Sequence, residues 1–170
     1  MDDMHCIYLV GGNERSILKF DLETNRWEKL HIFLKEARNH PNVFIVNKNI
    51  YVAFGEFSKK LVPTIEKGKI TGKGELKIIG KDDKNKRICS GIIVRPNNAF
   101  LVGGMDEKFK PLDTCVNMDL RTGKTMASSN KIDEPAFFGQ GLLAEIGDDE
   151  FGNFSLTENN VFLTMNFGSK

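Results

Sequence analysis

Short apolar strands separated by turn residues recur along the whole chain, and four of them share one pattern. Each is a run of apolar residues that leads into a turn, at residues 7–12, 50–55, 99–104 and 161–166. Their first residues lie 43, 49 and 62 positions apart. A recurrence of this length, built on short strands, is typical of β-propeller blades, in which each unit buries its faces against its neighbours. The pattern therefore predicts an all-β repeat protein.

Glycine follows the repeated strand in three of the four copies. The second unit ends in Phe54 and Gly55, and the other two end in consecutive glycines, namely Gly11 and Gly12 in the first unit and Gly103 and Gly104 in the third. Glycine allows a turn with positive φ without a Cβ clash. A phosphate-binding loop would need a helix after the glycines, whereas strands are predicted there. These glycines are therefore interpreted as structural turn residues.

A second repeated feature is an aspartate that opens a turn. Segments 21–26 and 119–124 match at Asp, Leu and Thr, and each ends in a basic residue. Asp21 and Asp119 are accordingly predicted to be turn residues. In the first unit, Trp27 lies six positions after Asp21 in an alternating strand. We expect Trp27 to pack in the core between units rather than to act as a recognition aromatic.

Together these features resemble the kelch repeat. Residues 7–30 resemble it most closely, with the apolar strand that closes on two glycines, an aromatic residue before Asp21, and Trp27. Residues 91–124 resemble a second kelch repeat, although Thr125 stands where the family has Trp. The resemblance implies a β-propeller of four-stranded blades. It implies little about activity, because propellers have many functions.

The predicted fold is all-β, a partial kelch-type propeller of roughly three and a half four-stranded blades within residues 5–170. The predicted blades are 5–32, which lacks its inner strand, 42–80, 88–128, and 137–167, which is incomplete. Kelch-type propellers usually close into a ring of more blades, so this chain is expected to leave two open edges of unpaired backbone groups. Either the chain is part of a longer propeller or other protein chains cover these edges, and a second copy of the chain is one candidate.

Composition narrows the classes of partner and compartment. The net charge is +1 with 28% charged residues, and no apolar stretch is long enough for a membrane span, so neither a membrane nor nucleic acid is an expected partner. Three widely separated cysteines indicate a reducing, cytoplasmic setting. Charge is segregated, with ten basic and four acidic residues in 59–87, and seven acidic residues without Lys or Arg in 133–158. This asymmetry either guides docking onto a partner or marks solvated faces.

Residues with catalytic or metal-binding potential are scattered. His5, His31 and His40 lack metal-ligand spacing. The copper-radical oxidases that share the kelch-type propeller need tyrosines and histidines together, but Tyr8 and Tyr51 occupy equivalent strand positions that suit packing. No nucleophile motif is present. We therefore predict no catalytic residue, cofactor or metal site.

Two segments are candidates for partner contact. The loop at 105–113 is longer than its counterpart in the first unit, and it carries Phe109 between Lys108 and Lys110. Loops on a rigid scaffold commonly carry binding residues, so these three are the predicted contact residues, unless Phe109 folds back onto its own blade. The apolar segment 135–143 is predicted to be a core strand or, alternatively, a docking patch.

The predicted function follows from the resemblance and from the absence of recognisable chemistry. We expect a non-catalytic scaffold or protein–protein interaction subunit of a larger intracellular assembly, with a cytoskeletal or ciliary component favoured because kelch proteins serve in such structures. The alternatives are a substrate-receptor module of a ubiquitin ligase, and a propeller with a small-ligand or enzymatic site at its central funnel.

Overall fold

The computed structural model describes residues 6–12, 14–138 and the backbone of 165–166, and within them every regular element is a β-strand. The strands, in chain order, are β1 (Cys6–Val10), β2 (Ser16–Asp21), β3 (Arg26–Phe33), β4 (Asn42–Val46), β5 (Asn49–Ala53), β6 (Glu56–Phe57), β7 (Lys60–Leu61), β8 (Thr64–Lys69), β9 (Gly74–Glu75), β10 (Lys77–Lys81), β11 (Gly91–Val94), β12 (Asn98–Val102), β13 (Leu112–Asp119), β14 (Thr125–Phe138) and β15 (Met165–Asn166). No helix in this part of the chain is long and apolar enough to cross a membrane.

The strands form three successive sheets and one small hairpin. The first sheet has the order β1-β2-β3-β9, the second β10-β8-β5-β4, and the third β11-β12-β13-β14-β15. The hairpin β6-β7 lies in the connection between β5 and β8. Within each sheet, strands that follow one another in the chain pair antiparallel, as expected for units joined by short turns. None of these sheets closes on itself.

The core lies between the sheets, and alternation along β5 shows this directly. Ile50 and Val52 belong to a buried cluster shared with the first sheet, whereas Tyr51 and Ala53 belong to a second cluster shared with the third sheet. Successive residues of a strand point to opposite faces, so the second sheet buries both of its faces. The three sheets are therefore stacked in chain order, face to face.

The sequence predicted most strands and missed several details. The strands expected in the first three units are present, and Tyr51 packs as expected, stacked on Phe44 at 5.1 Å between ring centres. Within the residues 42–80 predicted for the second unit, Gly74–Glu75 instead pairs in parallel with β3 and adds a strand to the first sheet. Leu76 follows it and is buried in the first cluster.

The boundary expected between the third and fourth units differs in the structure. β14 is 14 residues long and reaches Phe138, so residues 137 and 138 continue the third sheet, where they pair with β15. The register between β13 and β14 shifts between Leu112 and Thr114 and again between Thr114 and Val116, as at β-bulges. Of the apolar segment 135–143, residues 135–138 lie in β14, and Ala136 is buried. Residues 139–164, most of the predicted fourth unit, lie outside the described residues.

Candidate interaction surfaces

Two buried arginines, 49 positions apart, join the elements of the second and third units. Arg38 donates to the carbonyl oxygens of Phe54 (2.9 Å) and Thr64 (3.0 Å) and to the Thr64 hydroxyl (3.0 Å). Arg87 donates in the same way to the carbonyl oxygens of Gly103 (2.9 Å) and Thr114 (2.8 Å) and to the Thr114 hydroxyl (3.1 Å). Both guanidinium groups therefore donate hydrogen bonds to backbone carbonyl oxygens at the connection between the second and third strands of a sheet.

The two arginines differ in their charge partners. Arg38 forms a fully buried ion pair with Glu66, whose carboxylate also accepts hydrogen bonds from the backbone N–H groups of Lys35 (2.7 Å) and Glu36 (3.1 Å). Burial raises the pKa of Glu66, and these donors oppose that rise. Arg87 has no ion pair among the described residues, and burial lowers its pKa to about 10. The arginines are structural, because their donors are taken up by the fold.

The glycines predicted as turn residues lie where neighbouring segments come into close contact. Gly103 has φ +61°, and a side chain there would collide with the carbonyl oxygen of Ala136. Gly104 lies close to the segment that leads into β11, and Gly55 lies less closely against the segment that leads into β4. Gly11 lies against the carbonyl oxygen of Arg38. Gly12 also has positive φ but open space around it. In the second unit Phe54 adopts φ +59° where the third unit has glycine, and its ring is fully buried.

The two matched aspartates cap equivalent turns. The Asp21 carboxylate accepts hydrogen bonds from the N–H groups of Glu23 (3.0 Å) and Thr24 (2.8 Å). The Asp119 carboxylate accepts them from Arg121 (2.9 Å) and Thr122 (2.7 Å). These donors hold the pKa of both carboxyl groups below the ordinary value for aspartate. Both residues thus act locally, on their own turns.

The outer face of the first sheet is apolar and open. Ile7, Phe20 and Trp27 lie in register across β1, β2 and β3, so their side chains share one face, and Leu9 lies on the same face two residues after Ile7. Ile7, Leu9 and Trp27 are 52%, 56% and 57% exposed, and the Trp27 ring contacts Phe20 at 5.0 Å between centres. We call Ile7, Leu9, Phe20 and Trp27 the open face.

Trp27 is therefore not in the core, contrary to the position expected from the sequence. The other face of the same sheet packs on the second sheet through alternate residues, including Tyr8 and Val10. Trp27 points the opposite way, where no described strand covers it. The sequence also led us to expect open strand edges, whereas the uncovered surface at this end of the stack includes a whole sheet face.

The far face of the third sheet is the counterpart of the open face. Ile93, Phe100, Asn117 and Met126 lie in register across β11 to β14. Met126 is 65% exposed, the others are half-buried, and the side-chain oxygen of Asn117 is shielded without a hydrogen-bond partner among the described residues. A shielded amide oxygen that accepts no hydrogen bond is unfavourable. A segment that covered this face and donated a hydrogen bond to Asn117 would remove that cost.

The loop with the three predicted contact residues is held by hydrogen bonds to Asp106 and exposes all three. The Asp106 carboxylate accepts hydrogen bonds from the N–H groups of Lys108 (2.8 Å) and Lys110 (2.9 Å). Phe109, at φ +58°, is 54% exposed and donates its N–H to the Asp106 carbonyl oxygen (3.0 Å). Phe109 therefore does not fold back onto its own sheet, and its role in partner contact remains a prediction.

Titratable side chains that could perform chemistry are not gathered elsewhere. The described part of the chain contains no group of three or more His, Cys, Asp or Glu residues with metal-binding geometry. Its cysteines, Cys6, Cys89 and Cys115, are free and half-buried.

The sequence interpretation missed the repeated arginines and the open face, although the 49-residue spacing of Arg38 and Arg87 equals that of the second and third apolar strands. No family model matches the chain, and no curated protein matches its sequence.

Proposed function

We propose that this chain is a non-catalytic protein–protein interaction module, a partial kelch-type propeller whose open face is covered by a sheet of another protein chain. The arrangement of three stacked antiparallel sheets supports the propeller, since blades pack face to face in the same way. The equivalent contacts of Arg38 and Arg87 support a repeat of about one blade. The kelch resemblance supports an interaction role.

The open face is the single observation that carries the proposal. Within the chain, each contact between neighbouring sheets is made by aliphatic and aromatic side chains on alternate strand positions. The open face repeats that composition with Ile7, Leu9, Phe20 and Trp27, but no sheet opposes it among the residues that the structure describes. A contiguous apolar patch on one side of a sheet is a feature of interaction sites. Its occupant is expected to be another sheet face, and a second copy of this chain is the simplest source.

Covering these side chains would supply part of the free energy of association, which must also offset about 4–15 kcal/mol of lost translational and rotational freedom. Burying one large apolar side chain stabilises by about 1.5–3 kcal/mol, and these side chains are already about half covered. Three of them would together contribute roughly 2–4 kcal/mol, and a flanking rim would add to this. Tryptophan is also among the residue types most enriched in binding hot spots.

The experiment measures the assembly state of the purified chain by light scattering and native mass spectrometry. The wild-type chain is compared with a Leu9→Lys/Trp27→Lys double variant and with a matched control, Leu22→Lys, because Leu22 is an exposed leucine in the β2–β3 turn. We expect the wild type to form a complex, either with itself or with a co-purified chain. The double variant should lose this complex and Leu22→Lys should retain it. A soluble, stable wild-type monomer would contradict the proposal.

The cellular setting is proposed on the resemblance alone. We favour a cytoplasmic scaffold, cytoskeletal or ciliary, because a scaffold acts by binding other proteins through its surface and needs no catalytic site. Co-sedimentation of the wild-type chain with actin filaments or microtubules tests this part. If neither the wild-type chain nor the open-face double variant co-sediments with either filament, the proposed cytoskeletal role is refuted.

A further inference from the structure

A second surface lies at the loop end of the second and third sheets, away from the open face. The connection between the second and third strands of each of these sheets presents an exposed phenylalanine beside lysines. In the second sheet it is Phe57, 44% exposed, followed by Lys59 and Lys60, and in the third it is Phe109 between Lys108 and Lys110. The same placement of an aromatic and cations in two successive units is unlike the sparse distribution of exposed aromatics elsewhere in the described chain.

One acidic residue in each of these loops caps its own turn. The Glu56 carboxylate accepts the N–H of Lys59, and the Asp106 carboxylate accepts those of Lys108 and Lys110. These carboxylates fix the turns, while no ion pair of Lys108 or Lys110 is found among the described residues. Both loops thus present their ammonium groups to solvent next to an aromatic ring.

Between the two loops is a cleft of about 480 Å³. Its wall contains Leu61 and four lysines, two of them Lys108 and Lys110 and the others Lys84 and Lys86. Lys84 and Lys86 come from the loop between β10 and β11, which reaches the same end because β10 ends opposite Thr64, the start of β8. Three connections therefore converge on one charged depression, whose wall carries four lysines and three carboxylates.

We propose that this cleft binds an acidic, extended segment of a partner protein that places an apolar side chain beside Phe109. The exposed lysines supply the charge complementarity, and Phe109, exposed between Lys108 and Lys110 at the edge of the cleft, supplies an apolar anchor. Nucleic acid fits less well, because Asp83, Asp106 and Glu107 also line the cleft and would repel a continuous phosphate backbone. A peptide can avoid those carboxylates by the spacing of its own charges.

The test uses the full chain and fluorescein-labelled synthetic peptides in polarisation assays. One peptide combines glutamates with leucine and phenylalanine, a second replaces every glutamate by glutamine, and a third probe is single-stranded oligothymidylate. We expect the glutamate peptide to bind, the glutamine peptide to bind at least about tenfold more weakly, and the binding to weaken as salt is raised. Binding of both peptides alike, of neither, or of oligothymidylate in preference would overturn the proposal.

Variants identify the surface. Lys108→Glu/Lys110→Glu should weaken the glutamate peptide by about tenfold or more, and Phe109→Ser should weaken it without changing its salt dependence. The matched control is Lys48→Glu/Lys124→Glu, since both lysines are exposed in turns at the opposite ends of their sheets. Equal losses in the control would refute the assignment. Circular dichroism verifies folding, and the open-face double variant, Leu9→Lys/Trp27→Lys, should bind the peptide normally, which separates this proposal from the assembly proposal.

Discussion

Replacing Arg38 by methionine is expected to be far more damaging than the same change at Arg87, although the two side chains make nearly the same backbone contacts. Both variants leave carbonyl oxygens without donors, at about 1–3 kcal/mol for each group that water cannot reach. Arg38→Met also leaves the Glu66 carboxylate buried without its counter-charge. Breaking a buried ion pair by removing one partner costs about 3–5 kcal/mol. The carbonyl losses are common to both variants, so we expect Arg38→Met to lose roughly 3–5 kcal/mol more than Arg87→Met.

The excess loss should depend on pH with a definite sign. Burial raises the pKa of Glu66 above its ordinary 4.5, and Arg38 opposes that rise, so Arg38→Met raises this pKa further. A carboxyl group with a raised pKa in the folded state favours folding below its unfolded pKa, and this contribution is lost as pH rises through the folded pKa. Arg38→Met should therefore be least destabilised near pH 5 and progressively more destabilised toward pH 8, relative to wild type.

Urea unfolding followed by far-UV circular dichroism measures these free energies. Arg38→Met/Glu66→Gln is the diagnostic partner variant, because glutamine removes the charge and its single side-chain oxygen can keep one of the two hydrogen bonds that the carboxylate accepts from Lys35 and Glu36. This double variant should recover part of the stability that Arg38→Met loses, and it should abolish most of the added pH dependence. Equal, pH-independent losses in Arg38→Met and Arg87→Met would refute the reasoning, because the buried charge would then have no role.

Three further results are expected. Gly103→Ala should destabilise by roughly 2–4 kcal/mol in urea, because its Cβ meets the Ala136 carbonyl oxygen, whereas Gly12→Ala, in open space, should cost about 1 kcal/mol; equal losses would contradict the close approach. In the wild type, Asp119 stabilises the fold above the unfolded aspartate pKa, and this contribution is lost as pH falls through the lowered pKa of the folded state. Asp119→Ala should remove this contribution, so the stabilities of variant and wild type should converge at acid pH. A constant difference at all pH values would contradict the cap. Burial raises the pKa of the Cys89 thiol, so its alkylation, followed by mass spectrometry, should lag until the chain unfolds; immediate reaction would disprove its burial.

The sequence predicted the strands well because alternation and turn residues are local signals. Gly11, Gly103 and Asp119 report backbone conformation directly, and the structure places each in the expected turn. Pairing between units is not local, so the parallel addition of Gly74–Glu75 to β3 could not be read from its composition. The position of Trp27 illustrates the same limit. Its strand face was correctly apolar, but whether that face is covered depends on what lies opposite it.

The candidate surfaces were predictable only in part. Phe109 was identified because a long charged loop with one aromatic is unusual, and its exposure depends on the Asp106 turn that holds it outward. The cleft beside it was not predictable, since Leu61 and Lys84 reach it from separate connections. Both residues belong to the charge-rich segment 59–87, but the composition of that segment does not indicate which of its lysines lie together at the cleft.

The fluorescence of Trp27 tests most directly whether another chain covers the first sheet, because it is the single tryptophan of the chain and lies within the open face. Its emission maximum and acrylamide quenching are measured across a dilution series of the assembled protein, with light scattering on the same samples. A shielded, blue-shifted emission that becomes red-shifted and quenchable as the complex dissociates is the predicted result. An emission that is solvent-exposed at every concentration, in a chain that stays monomeric and soluble, would contradict the account.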